Sequence, residues 1–541
     1  MLRWIASLNI RFQLDSPFIT GVYMDKTLTI RYTSDTHGYL YPTNYADMQD
    51  RPMGLMKLAS EYPHDGNTLI IDGGDTIQGS PLTNLYQRLS PEEKASCLTS
   101  DAYGTHPIAA MMNLAGYQFV TLGNHDFNYG IPALLDYLNN LDAICLCANI
   151  RDKEGLLPVA PYAVHQLENG LRIGLVGVCT HYVTRWENPE TVRQLIIEDP
   201  VPAAKAALEA VKPLCDVTIL IYHGGFECDL ETEKLLTESA ENQACRLCKE
   251  LDFDLVLTGH QHMRVDGVRF GNSYAVQPTY RAPHCCGVTV TVHDDGSKDF
   301  ESRIIPADGE PLKTAYDLLM PLEKRVQTWL DTPAGHLDLP LVSDDHLHAA
   351  LNGSYLANFI NTVQLEASGA QIASSALPNE FKGLPTDVTI RDVVSTYIYT
   401  NTLVVLEMTG ASLRQYMERS AAYFAKDEQG SICLSDEFLR PKVQHYNYDF
   451  FSGIDYVIDV SRPVGSRVTS VKLNGKELGM DESVTVCINS YRFCGTGGYD
   501  MLPKQKVVRE VLTDVADAMI EYITTHPNIH IDTHRYCTVV G

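Results

Sequence analysis

YQFVTLGNHDFNYG, residues 117–130, begins with a short apolar run and stops at a glycine. An amide, an imidazole and a carboxylate then follow in succession. That is the signature of a buried strand whose carboxyl end opens into a polar turn. The same grammar recurs on both sides. TLTIRYTSD (27–35), NTLIIDGGD (67–75), AICLCANI (143–150), LRIGLVGV (171–178), DVTILIYHGG (216–225), FDLVLTGHQH (253–262) and GVTVTVHDD (287–295) are short runs rich in Val, Ile and Leu. Each ends at or near Gly, Asp, Asn or His. Helical patterns separate several of them, at 54–61, 106–115, 132–140, 202–212 and 234–250. Alternation of this kind predicts an α/β layered domain over 24–308.

The texture changes after residue 308. GEPLKTAYDLLMPLEKRVQTWL (309–330) reads as one amphipathic helix, and 309–334 is expected to connect two domains. Residues 335–541 mix helical patterns (NGSYLANFINTVQLEAS, ASLRQYMERSAAYF) with strand patterns (TNTLVVLEMTG, GIDYVIDVS, SVTVCINSYRF). This is a smaller α+β domain that does not repeat the first. The chain has 541 residues, which at ~150 residues per domain fits a multidomain protein.

Composition excludes several functions. Lys and Arg number 42 against 68 Asp and Glu, a net charge of −26. Such a surface repels phosphate backbones, so no nucleic-acid polymer is expected as a partner. A small phosphorylated substrate stays open, because a bound metal inverts the local field. No apolar run reaches the ~20 residues of a membrane span. No obligate protein partner is evident.

The fourteen Cys residues are scattered, and the CxxC at Cys245 and Cys248 has no second pair at zinc-site spacing. They read as free thiols, as in a reducing compartment. Residues 1–23 read as an extension without a secretory signal. A cytoplasmic enzyme is therefore expected.

Five strand ends carry residues that ligate divalent transition metals. Asp35 and His37 close the first as SDTHG, and residues two apart in an extended segment point to the same side. Asp75 closes the second, within GGDTIQGSP; Asp72 competes with it but still belongs to the strand. Asn124 and His125 close the third, His223 closes IYHGG, and His260 and His262 close TGHQH. Carboxylate, amide and imidazole together suit manganese, zinc or iron. Carboxyl ends of buried strands are where open α/β sheets hold ligands.

The order DxH, GD, GNHD, H, GHxH resembles the calcineurin-like metallophosphoesterases. GDTIQGSPL, TLGNHDFNYG and the second region resemble the bacterial 5′-nucleotidase family, and within it the 2′,3′-cyclic-nucleotide 2′-phosphodiesterase/3′-nucleotidase branch. The resemblance covers about residues 27–505. It implies a layered α/β/β/α catalytic domain and two divalent ions. Asp35, His37, Asp75 and His262 would hold one; Asp75, Asn124, His223 and His260 would hold the other, with Asp75 bridging. Water activated between such ions attacks phosphorus in line with the leaving oxygen. The resemblance gives His125 a hydrogen bond or proton at the phosphate or leaving group, with Asp126 orienting it.

The family's C-terminal domain stacks the base between two aromatic rings, worth about 1–3 kcal/mol per base. Tyr491, in INSYRFCGTGG, stands in the second stacking segment, and Tyr446 and Tyr448, in HYNYDFF, stand in the first, with Tyr448 preferred. Two departures weaken a 5′-nucleotidase reading. AQIASSALPNEFKGLPTDVTIRD (370–392) holds no Arg before Arg391, and a GGDGY-like element is altered to GTGGYD (495–500). YNYD, IYTNTLVVLEMTG and NSYR favour the cyclic phosphodiesterase/3′-nucleotidase branch. A 5′-nucleotidase or nucleotide-sugar hydrolase on the same scaffold is the alternative, and a non-catalytic nucleotide-binding module is the alternative from another class.

Overall fold

The computed structural model describes residues 25–541 apart from 100–103, 236–239, 343–344, 400, 441, 494 and 512. The expected extension over 1–23 lies outside the described residues.

Two sheets stack in the first region. One has seven strands, in the order Lys298–Pro306, His284–Val292, Lys26–Thr33, Thr68–Asp72, Phe119–Val120, Ile144–Leu146, Val159–Ala160. The other has six: Val265–Phe270, Ser273–Gln277, Leu255–Thr258, Val217–His223, Arg172–Cys179, Tyr162–Gln166. Side-chain alternation builds the layers. In Val217–His223, Ile219 and Ile221 join Leu28, Ile30 and Ile71 between the sheets. Leu220 and Tyr222 point the other way, onto the helices Pro200–Val211 and Ala244–Glu250. The outer face of the first sheet is covered by Pro107–Ala115, Gly130–Asn139 and Lys313–Leu330. The order is helix, sheet, sheet, helix.

Lys26–Thr33, Thr68–Asp72 and Phe119–Val120 run parallel in one sheet, and Val217–His223 and Leu255–Thr258 run parallel in the other. Their carboxyl ends therefore align along one edge of each sheet. Tyr32 ties the two edges together by donating its hydroxyl to the Thr258 carbonyl at 3.0 Å.

The helix expected over 309–330 is Lys313–Leu330. It is no free-standing connector: Ala315, Leu319, Leu322, Val326 and Leu330 sit in the helical core of the first region. Beyond it lies a five-stranded mixed sheet, ordered Asp449–Ser452, Ile372–Ala376, Ser483–Asn489, Leu403–Thr409, Lys506–Val511. The helix Tyr355–Ser368 packs on this sheet; Ser354 caps its start and left-handed Gly369 ends it.

One cysteine expectation is corrected. Cys228 and Cys245 form a disulfide, so the thiols are not all free. The pairing is set by tertiary proximity, since the segment after His223 folds back on the helix Ala244–Glu250. With it goes part of the ground for a cytoplasmic protein. Among the described residues no helix is long and apolar enough to cross a membrane.

Candidate metal centre

The five strand ends converge into two abutting clusters. Asp35, His37 and His262 form one; Asp75, His223 and His260 form the other. In each, one potential ligand atom per residue lies within 4.8 Å of the others. Asn124 joins the second, with Oδ1 3.2 Å from His223 Nε2.

The backbone is bent to achieve this. Ten described non-glycine residues have positive φ in the left-handed region, and five of them are Asp35, His37, Asp75, His260 and His262. Such a conformation is costly for residues with a Cβ and is kept where the surroundings enforce it. Close-packed glycines make the space. A Cβ on Gly123 would lie 2.1 Å from Asp75 Oδ1, and one on Gly259 would lie 2.2 Å from Ser34 Oγ.

Outer hydrogen bonds aim the imidazoles. His37 Nδ1 lies 2.9 Å from the Gln78 carbonyl, and His223 Nδ1 lies 2.7 Å from that of Gly73. A carbonyl only accepts, so both rings carry their proton on Nδ1 and turn Nε2 inward. His260 places Nε2 3.0 Å from Glu241 Oε1, which makes Nδ1 its candidate donor atom. His37 Nε2 faces His262 Nε2 at 3.1 Å. Asp75 Oδ2 lies 3.2 Å from His223 Nε2, and Asp35 Oδ1 lies 3.4 Å from His262 Nε2.

The electrostatics fit a cation. Burial pushes His37 down to about 3, so it stays neutral and ready to ligate. Burial also opposes a charge on His223, yet the Asp75 and Asp35 carboxylates win and raise it to about 10. The carboxylates thus seek a positive partner in the buried centre. Mixed imidazole, carboxylate and amide donors fit two divalent ions, one of which would displace the proton that His223 otherwise holds on Nε2.

Asp126 does not orient His125. Its carboxylate accepts four backbone N–H groups, from Asp75 (3.0 Å), Thr76 (2.8 Å), Ile77 (3.1 Å) and Gly123 (2.8 Å). It clamps the Asp75 turn to the Gly123–Asn124 turn. His125 instead places Nδ1 2.8 Å from Asn128 Oδ1, while its backbone N–H donates to Asp75 Oδ1 at 2.7 Å. Its ring centroid is 5.4 Å from that of His37.

The tyrosines separate. Tyr448, the preferred one, is only 2% exposed and packs against Tyr423, Phe424 and Phe450 in the second core. No base reaches that ring, so it is removed from the candidate stacking pair. Tyr446 and Tyr491 are partly exposed, with ring centroids 6.5 Å apart at 72°. At that angle the two rings are not parallel. Arg492 holds their segments together, ion-paired with Asp449 at 2.8 Å and donating to the Tyr446 carbonyl at 2.8 Å.

The second region faces the metal loops. Lys442 donates to the Gln261 carbonyl at 3.2 Å, between His260 and His262. The Glu241 carboxylate is near enough to help raise Tyr491, whose shift is mainly due to burial. Arg281 joins them: its guanidinium lies over Tyr39 (4.9 Å) and Tyr280 (5.1 Å), and Tyr280 stacks on His262 at 4.4 Å. Sequence reasoning missed Asn128, Glu187, Glu241 and Arg281. Asn128 alone carried a signal, as a polar residue inside GNHDFN. Arg391 is a structural tie, bonded to Asp331, Gln327 and the Tyr45 carbonyl.

Comparison with known proteins gives the family. The family model for calcineurin-like phosphoesterases matches residues 28–264, and that for the 5′-nucleotidase C-terminal domain matches 335–504. A solved Staphylococcus aureus protein, described as a candidate 5′-nucleotidase, superposes with a TM-score of 0.84 at 30% identity, over 95% of this chain and 100% of that one. The chain belongs to the calcineurin-like phosphoesterases that carry a 5′-nucleotidase C-terminal domain. Among these phosphoesterases, the 2′,3′-cyclic-nucleotide 2′-phosphodiesterase/3′-nucleotidase of Salmonella typhimurium is 24% identical, over 87% of this chain and 82% of that protein. The trifunctional nucleotide phosphoesterase of Bacillus subtilis is 23% identical over 93% of this chain, which spans only 38% of its length.

Proposed function

We propose that this phosphoesterase is a two-metal phosphohydrolase of nucleotides, acting on 2′,3′-cyclic nucleotides and 3′-nucleotides. The observation that carries the reading is the pair of abutting ligand clusters with His125 fixed at their edge through Asp75. Two divalent ions held there would neutralise phosphoryl oxygens and lower the pKa of a water.

The chain's own residues do the rest. Asp35, His37 and His262 would hold one ion; Asn124, His223 and His260 would hold the other; Asp75 would serve both. His125 presents Nε2 to the phosphoryl group or its leaving oxygen. Arg281, backed by two tyrosine rings, offers guanidinium N–H groups to a substrate anion. Tyr446 and Tyr491 offer the base a stacking site across the cleft.

The 3′ and cyclic preference is supported by the Salmonella typhimurium relative and by Arg391, which is spent on structure. A second reading, a 5′-nucleotidase, is favoured by the description of the Staphylococcus aureus structure. The test is phosphate release and product chromatography on 2′,3′-cyclic AMP, 3′-AMP, 5′-AMP and a nucleotide sugar, with manganese and with chelator. Turnover of the first two, lost with chelator and in Asp75→Asn, is expected. Turnover of 5′-AMP alone would establish the second reading, and activity unaffected by chelator would overturn both.

A further inference from the structure

Behind His125 stands a chain of two hydrogen bonds that ends on a buried carboxylate. Asn128 Oδ1 lies 2.8 Å from His125 Nδ1, and Asn128 Nδ2 donates to Glu187 Oε2 at 2.8 Å. Glu187 comes from the far end of another segment, at the close of the short helix Val183–Trp186, and is 8% exposed. Its other oxygen accepts the Asn188 N–H at 2.6 Å. Burying a carboxylate is expensive, and hydrogen bonds from two amides repay only part of the cost.

The chemistry of the amide explains what the carboxylate achieves. A side-chain amide alone turns either end toward an imidazole at similar cost, and each orientation selects a different tautomer. An ionised carboxylate only accepts, so Glu187 forces Nδ2 toward itself and Oδ1 toward His125. An accepting Oδ1 requires the proton of the neutral ring to sit on Nδ1. Nε2, which makes no hydrogen bond to the described residues, is then the nitrogen left to take up a second proton and to give it to the leaving oxygen, the ring returning each time to the Nδ1–H form.

We propose that Glu187 is a positioning residue for His125, acting through Asn128 to fix the tautomer and the ring plane. This rests on the reading that His125 faces the scissile ester. The triad Glu187–Asn128–His125 does for a phosphoesterase histidine what an orienting acid does for a general base elsewhere: it removes the wrong proton arrangement.

The test exploits a reversal of sign. Glu187→Gln removes the acceptor-only constraint, and kcat is expected to fall about tenfold with KM little changed. Asn128→Asp gives His125 a carboxylate directly but sets it against Glu187, so it too lowers kcat. In the double variant the Gln amide donates to the new carboxylate, and activity recovers above that of Asn128→Asp alone. A Glu187 that merely supported its loop would give losses that add, which would overturn the proposal. Imidazole ¹⁵N shifts of His125 in the metal-free protein provide a readout independent of turnover. The Nδ1–H tautomer is expected in the native protein and a mixture in Glu187→Gln. An unchanged tautomer would sink the proposal, even if the substrate reading stands.

Discussion

At the scale of single residues, the site is surrounded by buried carboxylates with different tasks. Asp72, passed over as a ligand, is fully buried and accepts from Thr33 Oγ1 at 2.7 Å, Thr76 Oγ1 at 2.6 Å and the Gly74 N–H at 3.0 Å. Burial still outweighs these bonds and raises it to about 7. The consequence for stability has a definite sign. The unfolded chain releases this proton near the ordinary carboxylate pKa, ~3.9, while the folded chain keeps it until about 7. The contribution is therefore fully present below about pH 4, declines as pH rises, and is lost above about 7. In chelator, urea midpoints of the native protein should drop over that window, and those of Asp72→Asn should drop less.

At the scale of elements, the GNHDFN turn joins one short strand to three functions. Asn124 joins the second ligand cluster, Asp126 ties two turns together, and Asn128 sets the imidazole. Asp126 accepts four amides, so Asp126→Ala leaves four buried N–H groups without their acceptor. At about 1–3 kcal/mol for each orphaned group, the loss should exceed about 3 kcal/mol. Chemical denaturation should rank the native protein above Asp126→Asn and that variant above Asp126→Ala, with manganese affinity falling in the same order. Had Asp126 oriented His125 instead, kcat would fall while stability and metal binding held.

At the scale of the whole molecule, the second region meets the metal loops through Lys442 and the Gln261 carbonyl, and the proposed function gives the two domains separate jobs. The sandwich edge holds the charge-handling groups, and the second domain offers aromatic rings held by Arg492 and Asp449. This division predicts a substrate-dependent effect. Tyr446→Ala and Tyr491→Ala should raise KM for 3′-AMP about tenfold or more while leaving a phosphate ester without any ring, such as glycerol 2-phosphate, unaffected. Tyr448→Ala should instead cost about 3–5 kcal/mol of stability, because it empties a core position. Equal KM changes on both substrates would remove the stacking role.

Short apolar runs, five of them closed by a candidate metal-ligating residue, were legible without coordinates. A strand's alternation and its terminating glycine are local properties, written in consecutive residues. So were the α/β layers and the residues that the fold brings into two clusters, Asp35, His37, Asp75, Asn124, His223, His260 and His262, with Asp75 rather than Asp72 among them. Three things were decided only when distant segments met. Tyr448 and Tyr446 are two residues apart, and packing alone sends one into the core and leaves the other at the cleft. Cys228 pairs with Cys245, rather than Cys245 with Cys248, because a chain reversal joins them. Glu187 meets Asn128 across 59 positions, and no local pattern records that meeting. The sequence determines which groups stand at each strand end, since that follows from short-range periodicity. Which groups orient, clamp or stack depends on burial and on contacts between distant parts of the chain, and those exist only in the folded protein.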